Sequence, residues 1–153
     1  MTSLIDIEKN MIRKAKMIDA PPISTLLAQL GYPADSQLIA GKIDFLIDHP
    51  DHELLVYEQD ERVVGFIDMH FISQLTLGDF AHITYFCVDA DTRGSGIGAV
   101  LLERAEQLAK DRHCDRVFLH CNEHRVDAHR FYERNGYTES PKYYLKKLTD
   151  YAG

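Results

Sequence analysis

The first ten residues are polar and carry no clear period, so residues 1–10 are read as a loose N-terminal extension or a short extra helix. Met11–Lys16 mixes apolar and basic positions and signals a strand. Ile23, Leu26, Leu27 and Leu30 then fall at helical spacing. Asp19 is placed to cap that helix, Pro21 and Pro22 suit its first turn, and Gly31 ends it. A second helix is expected over Ser36–Asp48, with Leu38, Ile39, Ile43, Leu46 and Ile47 on its inner side and Pro50 as its stop. The pattern then becomes β-rich. Glu53–Gln59 and Arg62–Phe71 flank the polar turn Asp60-Glu61, which predicts a hairpin. Asp79–Val88 is a further strand, on which His82, Thr84 and Phe86 share a face if alternation is regular. Ile97, Leu101, Ala105 and Leu108 line one side of an amphipathic helix, and Arg116–Cys121 is a short strand. His124–Asn135 is a helix with Ala128, Phe131 and Tyr132 inward and Gly136 at its end. Tyr137–Leu148 predicts a last pair of strands broken at Pro141.

The order is therefore β-α-α-β-β-β-α-β-α-β-β. Helices interleave with a mostly antiparallel sheet, a mixed α/β architecture. At 153 residues the expectation is one domain, 1–153, with a core that needs no staples, since about 70% of the unfolded surface is buried at this size.

Composition narrows the function classes. A formal charge of −7, from 24 acids against 17 Lys and Arg, disfavours a nucleic-acid or anionic-membrane partner. Three cysteines without a CxxC spacing disfavour a disulfide framework and fit a reducing cytoplasm. The start has no signal-peptide order, and no apolar run approaches the ~18 residues of a membrane span.

The most informative stretch is Val88-Asp89-Ala90-Asp91-Thr92-Arg93-Gly94-Ser95-Gly96-Ile97-Gly98, which joins a strand to a helix. Glycines there let a ligand approach the backbone closely. The N–H groups and positive dipole end of the helix favour an anion, and Arg93 adds a cation suited to phosphate. The pattern reads as a pyrophosphate cradle. It is not a P-loop, because no Gly-Lys-Ser/Thr follows, and it does not open an early βαβ unit as a dinucleotide fingerprint does. A flexible turn capping a helix is the plain alternative.

Two motifs decide between them. Arg93-Gly94-Ser95-Gly96-Ile97-Gly98 resembles the acetyl-CoA signature Gln/Arg-x-x-Gly-x-Gly/Ala of the GNAT N-acetyltransferase superfamily. Asp127-Ala128-His129-Arg130-Phe131-Tyr132-Glu133-Arg134-Asn135-Gly136-Tyr137 is similar to its Ala-x-x-Phe-Tyr-x-x-x-Gly-Phe/Tyr segment. The likeness covers roughly residues 11–148. The His-Arg-Phe-Tyr run, Met69-His70 and the closing Tyr-Leu-Lys-Lys-Leu look most like the small-amine branch that contains aminoalkylphosphonate N-acetyltransferases.

The resemblance implies a GNAT-like fold and acetyl-CoA as cosubstrate. It implies that Arg93, Gly94, Ser95, Gly96, Ile97, Gly98 and Ala99 hold the pyrophosphate. Backbone groups of Cys87 and Val88 would pair with the pantetheine arm like an added half-strand. Where many relatives have Asn three residues before the conserved Ala, this chain has Arg125. Asn122 lies nearby as a substitute, so both are carried as donor contacts.

Acetyl transfer from a thioester to an amine requires that the amine lose a proton. The oxyanion needs a donor, and the leaving thiolate benefits from a proton. Tyr132 is the expected acid, a role the family likeness also implies; its reference pKa of about 10 lies near a thiol's 8.5. The alternative is an aromatic packing residue. His82 is the expected base, in a region where similar enzymes carry Glu, and an imidazole near pKa ~6.5 suits that task. A half-buried strand residue is the other reading, and His70 and Glu123 are secondary candidates. The Val88 N–H is the expected oxyanion donor. Cys87 lies in an apolar strand and is read as inert, so direct attack in a ternary complex is expected.

Eight histidines raise a metal question. His124 and His129 are five apart and do not align on one helix face, and no HExxH motif or Cys pair exists, so no metal site is expected. The expected acceptor is a small-molecule primary amine. A protein or peptide acceptor, and a non-catalytic CoA-binding sensor, remain open beside it. A homodimer is expected by analogy alone.

Overall fold

The computed structural model describes residues 10–76, 78–120, 126–140 and 144–150. The chain divides into two compact units, residues 1–120 and 121–153. The first unit is built on a five-stranded sheet in the order β1-β2-β3-β4-β5. Its strands are β1 (Asn10–Lys14), β2 (His52–Gln59), β3 (Arg62–Ile72), β4 (Phe80–Val88) and β5 (Arg116–Leu119). Neighbours from β1 to β4 run antiparallel, and β4 pairs with β5 in parallel. Helices α1 (Ala20–Leu30) and α2 (Ser36–Leu46) precede β2, and α3 (Ile97–Asp111) makes the crossover that a parallel pair requires. The second unit contains α4 (Val126–Arg134). The mixed, mostly antiparallel architecture expected from the sequence is the one found. Among the described residues no helix is long and apolar enough to cross a membrane.

The two-residue hairpin between β2 and β3 has positive φ at both Asp60 (50°) and Glu61 (64°), the I′ geometry whose twist matches its strands. Gly31 ends α1 in the left-handed region (φ 94°), and Tyr32 N–H closes the turn onto Leu27 O at 2.9 Å.

Each sheet face has its own cover. On one side Ile23, Leu26 and Leu27 of α1 pack with Val56, Phe66 and Cys87. On the other, Leu101, Leu102, Ala105 and Ala109 of α3 are buried, as are Leu55, Ile67, Met69, Ala81 and Ile83 of the strands. Gly65 allows the close approach there. A Cβ on it would lie 3.1 Å from Leu101 Cδ1 and 3.3 Å from the Cys87 carbonyl.

Several local expectations are corrected. Asp19 stands at the N-cap position of α1 but makes no side-chain cap bond. The donors a cap takes belong to the second and third helical residues, here Pro21 and Pro22, which have no N–H. Its carboxylate instead receives two bonds of 2.8 Å from Arg13 and one of 2.7 Å from the Lys16 N–H. Helix α2 buries Ile43 alone, while Leu38 and Ile47 are exposed, because it packs on α1 and the 3₁₀ turn Met17–Asp19, a narrow seam. The expected final strand pair is not found among the described residues 137–140 and 144–150; residues 141–143 lie outside them. A strand needs a ladder partner, and no described strand pairs with this stretch.

Candidate active site

The glycine segment begins where β4 ends. Asp89 N–H bonds Val64 O at 2.8 Å, and the Asp89 carboxylate accepts the Asp91 N–H at 2.8 Å, which starts the 3₁₀ turn Ala90–Thr92. Arg93 folds back so that its Nε donates to Val88 O at 3.3 Å. Gly94 and Gly96 then take φ of 86° and 89°, a region that L side chains rarely enter, and a Cβ at either would meet none of the described residues within 4 Å. Gly96 caps α3, and among the described residues no side-chain cap bond is made at its start. These are the features that an anion at a helix start requires. Ile97, expected in the cradle, has its side chain in the core, so only its main chain faces this turn. Ser95 Oγ donates to Thr92 O, within the loop.

Strand β4 carries the next part of the site. Its pairing with β5 ends at Ile83 with Leu119, whereas β4 continues to Val88. The Asp89-to-Val64 bond sets the phase of the β3–β4 ladder. Alternation then turns the main-chain groups of Cys87 toward Phe66, and those of Phe86 and Val88 toward the β5 side. Of the two residues expected to hold a pantetheine arm, Val88 has the outward orientation and Cys87 faces β3. The Cys87 thiol is buried and donates to Leu26 O at 3.3 Å.

The expected face of His82, Thr84 and Phe86 is broken by a bulge. Asp68 pairs with Tyr85 and Met69 with Ile83, so Thr84 is an extra residue in β4. Beyond it Tyr85 and Cys87, rather than Phe86, share the face of His82. Tyr85 accordingly meets Tyr32, just after α1, with ring centroids 5.8 Å apart. His82 stacks on Phe118 at 4.5 Å and stands edge-on to His120 at 5.2 Å. Burial pushes its pKa below the usual imidazole value, aided by positive charge at His120 and His70 and opposed by Asp68.

On the same face, His70 pairs with His82 across β3–β4 and with His52 across β2–β3. Asp68 lies two residues from His70 and so shares its face. His52 Nε2 is 2.5 Å from Asp68 Oδ1, and His70 Nε2 is 3.6 Å from Oδ2. The Thr84 hydroxyl donates to Oδ2 as well. Burial works against ionisation of Asp68, but bonds from His52, His70 and Thr84 outweigh it and hold the carboxyl at about 2. The Asp68 carboxylate in turn raises the pKa of His70.

His52 was not singled out from the sequence, and Asp68 entered only as one of four acids, with Asp44, Asp48 and Asp79, that the sequence offers as contacts for a cationic amine. The signal for Asp68 was the spacing of Asp68 and His70 on a strand. His52 was hidden by a β3 bulge between the pairs Glu58–Val63 and Tyr57–Gly65. Without that extra residue, His52 would sit opposite Met69.

In the second unit, Tyr132 lies half-buried on α4, its ring 5.5 Å from Phe131 and 6.0 Å from Tyr137. Gly136, at φ 89°, turns the chain so that Tyr137 N–H bonds Tyr132 O at 3.0 Å. Asn122 and Arg125 fall outside the described residues. A separate cleft of about 490 Å³ lies beside β1 and the hairpin, with Arg13, Asp19, Thr25, Glu58, Glu61 and Asp89 in its lining. It includes neither His82 nor any residue from 93 to 99.

A family model described as Acetyltransferase (GNAT) family matches residues 23–137. The aminoalkylphosphonate N-acetyltransferase of Salmonella typhimurium is 36% identical over 104 residues, 67% of each chain. The glucosamine 6-phosphate N-acetyltransferase of Trypanosoma brucei brucei is 25% identical over 149 residues, covering 90% of this chain and 92% of that one. The chain spans 67%, 43% and 56% of the lengths of three curated relatives that it matches. Among solved structures, a transcriptional regulator from Bacillus halodurans C-125 superposes with a TM-score of 0.82 at 26% identity, over 91% of this chain and 99% of that chain.

Proposed function

The chain belongs to the acetyltransferase (GNAT) family and is an N-acetyltransferase by class, and from that premise we propose that it moves an acetyl group from acetyl-CoA to a primary amine of a small molecule by direct attack, both units serving one transferase domain. Members of this family use acetyl-CoA as acyl donor. The observation that carries the reading is the segment 93–99. Among the described residues, two glycines hold left-handed geometry with open space where side chains would stand, ahead of a helix start with no side-chain cap bond. That arrangement fits a pyrophosphate. Arg93 supplies positive charge beside it, and the outward main chain of Val88 suits an amide-rich arm.

When bound, acetyl-CoA supplies the activated acetyl thioester. His82 takes the proton from the ammonium so that the nitrogen lone pair is available. Its lowered pKa keeps the imidazole neutral, and therefore able to accept, at neutral pH. The Val88 N–H donates to the oxygen on which charge develops. Tyr132 gives its phenolic proton to the departing sulfur, and the second proton that the nitrogen sheds on becoming an amide restores the phenol through solvent. The buried Cys87 takes no covalent part. For the acceptor, the names of two relatives point to small amines carrying a phosphonate or a phosphate.

Calorimetry with acetyl-CoA tests the cradle: Gly96→Glu should abolish binding through bulk and like charge. Thiol release against a panel of aminoalkylphosphonates, amino sugar phosphates, polyamines and peptides tests the acceptor. Turnover is expected on a small amine, with Tyr132→Phe and His82→Gln each lowering kcat by about 10²–10⁴. Turnover on peptides alone would move the reading to a protein acetyltransferase. Binding without turnover on any amine would move it to a sensor, and loss of turnover in Cys87→Ala with intact acetyl-CoA affinity would overturn direct attack.

A further inference from the structure

We propose that His52, Asp68 and His70 form a binding site for one first-row divalent transition-metal ion. The ligand atoms His52 Nε2, a carboxylate oxygen of Asp68 and His70 Nε2 converge within 4.8 Å of one another. They come from two adjacent strands whose register is fixed by the ladder, His52 opposite His70. Rigid strands hold a ligand set more exactly than loops do.

The distances suit such an ion. Tetrahedral bonds of about 2.0–2.1 Å place ligand atoms roughly 3.4 Å apart. His70 Nε2 already lies 3.6 Å from one carboxylate oxygen of Asp68, Oδ2, whereas His52 Nε2 lies 2.5 Å from the other, Oδ1, a separation that must open for an ion to enter. Opening it exchanges the His52–Asp68 hydrogen bond for bonds to the ion and disturbs no apolar packing contact. The rings of His52 and His70 lie 4.7 Å apart at their centroids, both aiming the same nitrogen at one carboxylate. A divalent ion between them satisfies both imidazoles and the carboxylate together. Thr84, held in the β4 bulge, bonds the carboxylate and fixes its orientation, as outer-shell hydroxyls do around metal ligands.

Two imidazoles and one carboxylate select zinc, cobalt, nickel or iron(II) over magnesium or calcium, which prefer all-oxygen sets. Three protein ligands leave at least one position for water or another donor. His52 is buried and His70 is half-exposed, so an ion enters from the His70 side. The residues differ from His124 and His129, which the sequence raised for a metal.

The test uses the full chain stripped with a chelator and titrated with Co2+, then Zn2+, with no acetyl-CoA or amine present. It therefore fails or succeeds independently of the transferase reading. One Co2+ per chain is expected, with visible absorption of a low-symmetry site that Zn2+ displaces. Asp68→Asn should abolish uptake. His70→Ala, at a half-exposed position, and Thr84→Val should each weaken it by about tenfold or more. His113→Ala, on the exposed turn after α3, should leave it unchanged. Circular dichroism establishes that each variant is folded, and His70→Ala decides the matter if Asp68→Asn is not. No uptake by the wild-type chain overturns the proposal, as does uptake that His70→Ala leaves undiminished.

Discussion

The two faces of the sheet are made from the same strands and do different work. Against α3, the strands present Leu55, Ile67, Met69, Ala81 and Ile83, a dry aliphatic layer closed by Leu101, Leu102, Ala105 and Ala109. Against α1, the face is apolar only at the end of Val56, Phe66 and Cys87. Toward the other end of those strands it carries His52, Asp68, His70, His82 and Thr84. One face supplies burial. Half of the other gives up apolar packing, and its polar groups persist there because they satisfy one another.

The largest effects should separate these roles. Leu101→Ala removes a fully buried side chain from this layer and should cost about 2–5 kcal/mol in urea unfolding. Acetyl transfer by the fraction that remains folded should be little changed. His82→Ala should do the reverse, losing under about 1 kcal/mol while turnover falls by orders of magnitude. Comparable stability losses in the two variants would break the contrast.

Next in size is the support beneath the α1 side. Asp19 joins Arg13 to the start of α1, and Asp19→Ala should cost about 2–3 kcal/mol at neutral pH, the range for buried charge-assisted bonds. Burial raises the Asp19 pKa, yet the bonds from Arg13 and Lys16 outweigh it and leave the carboxyl below its ordinary value. A carboxylate depressed on folding stabilises fully above its unfolded pKa of about 3.9, and that contribution is lost as pH falls through the lower folded value. The gap between wild type and Asp19→Ala should therefore be wide at pH 7 and shrink below about pH 4. Unfolding midpoints at the two pH values measure it.

A smaller effect tests how closely β3 meets α3. Gly65→Ala places a methyl 3.1 Å from Leu101 and 3.3 Å from the Cys87 carbonyl, and a carbonyl in a ladder cannot move aside. A loss of about 1–2 kcal/mol is expected, the lower part of the overpacking range, where alanine in a strand would otherwise help. A gain in thermal midpoint would mean that α3 sits more loosely on the sheet.

The α3 face was the more legible of the two in the sequence. Its helix announces itself through Ile97, Leu101, Ala105 and Leu108, and the glycine segment before it has the backbone geometry that its composition implied. The polar half-face was not legible, for a definite reason. Alternation and hairpin counting assume unbroken ladders, and bulges in β3 and β4 shift both counts by one residue. Phe86 thereby leaves the face of His82, and His52 arrives opposite His70. Helix α2 misled differently, since its five apolar inner positions count hydrophobic spacing but not how narrow a partner the helix has.

That narrowness sets the smallest prediction. Asp35 caps α2 by accepting the Gln37 N–H at 2.7 Å, and Ile43 is the helix's one buried residue. Asp35→Ala should cost about 0.5–1 kcal/mol, while Asp35→Asn, an equally good cap, should be nearly silent. Because few apolar contacts tie α2 down, the loss should appear first as faster amide exchange within residues 36–46 and leave α3 unaffected. If exchange instead rose equally in α2 and α3, the two covers of the sheet would be one cooperative unit. Uneven protection, strong in α3 and weak in α2, is what a sheet packed dry on one side and polar over half of the other requires.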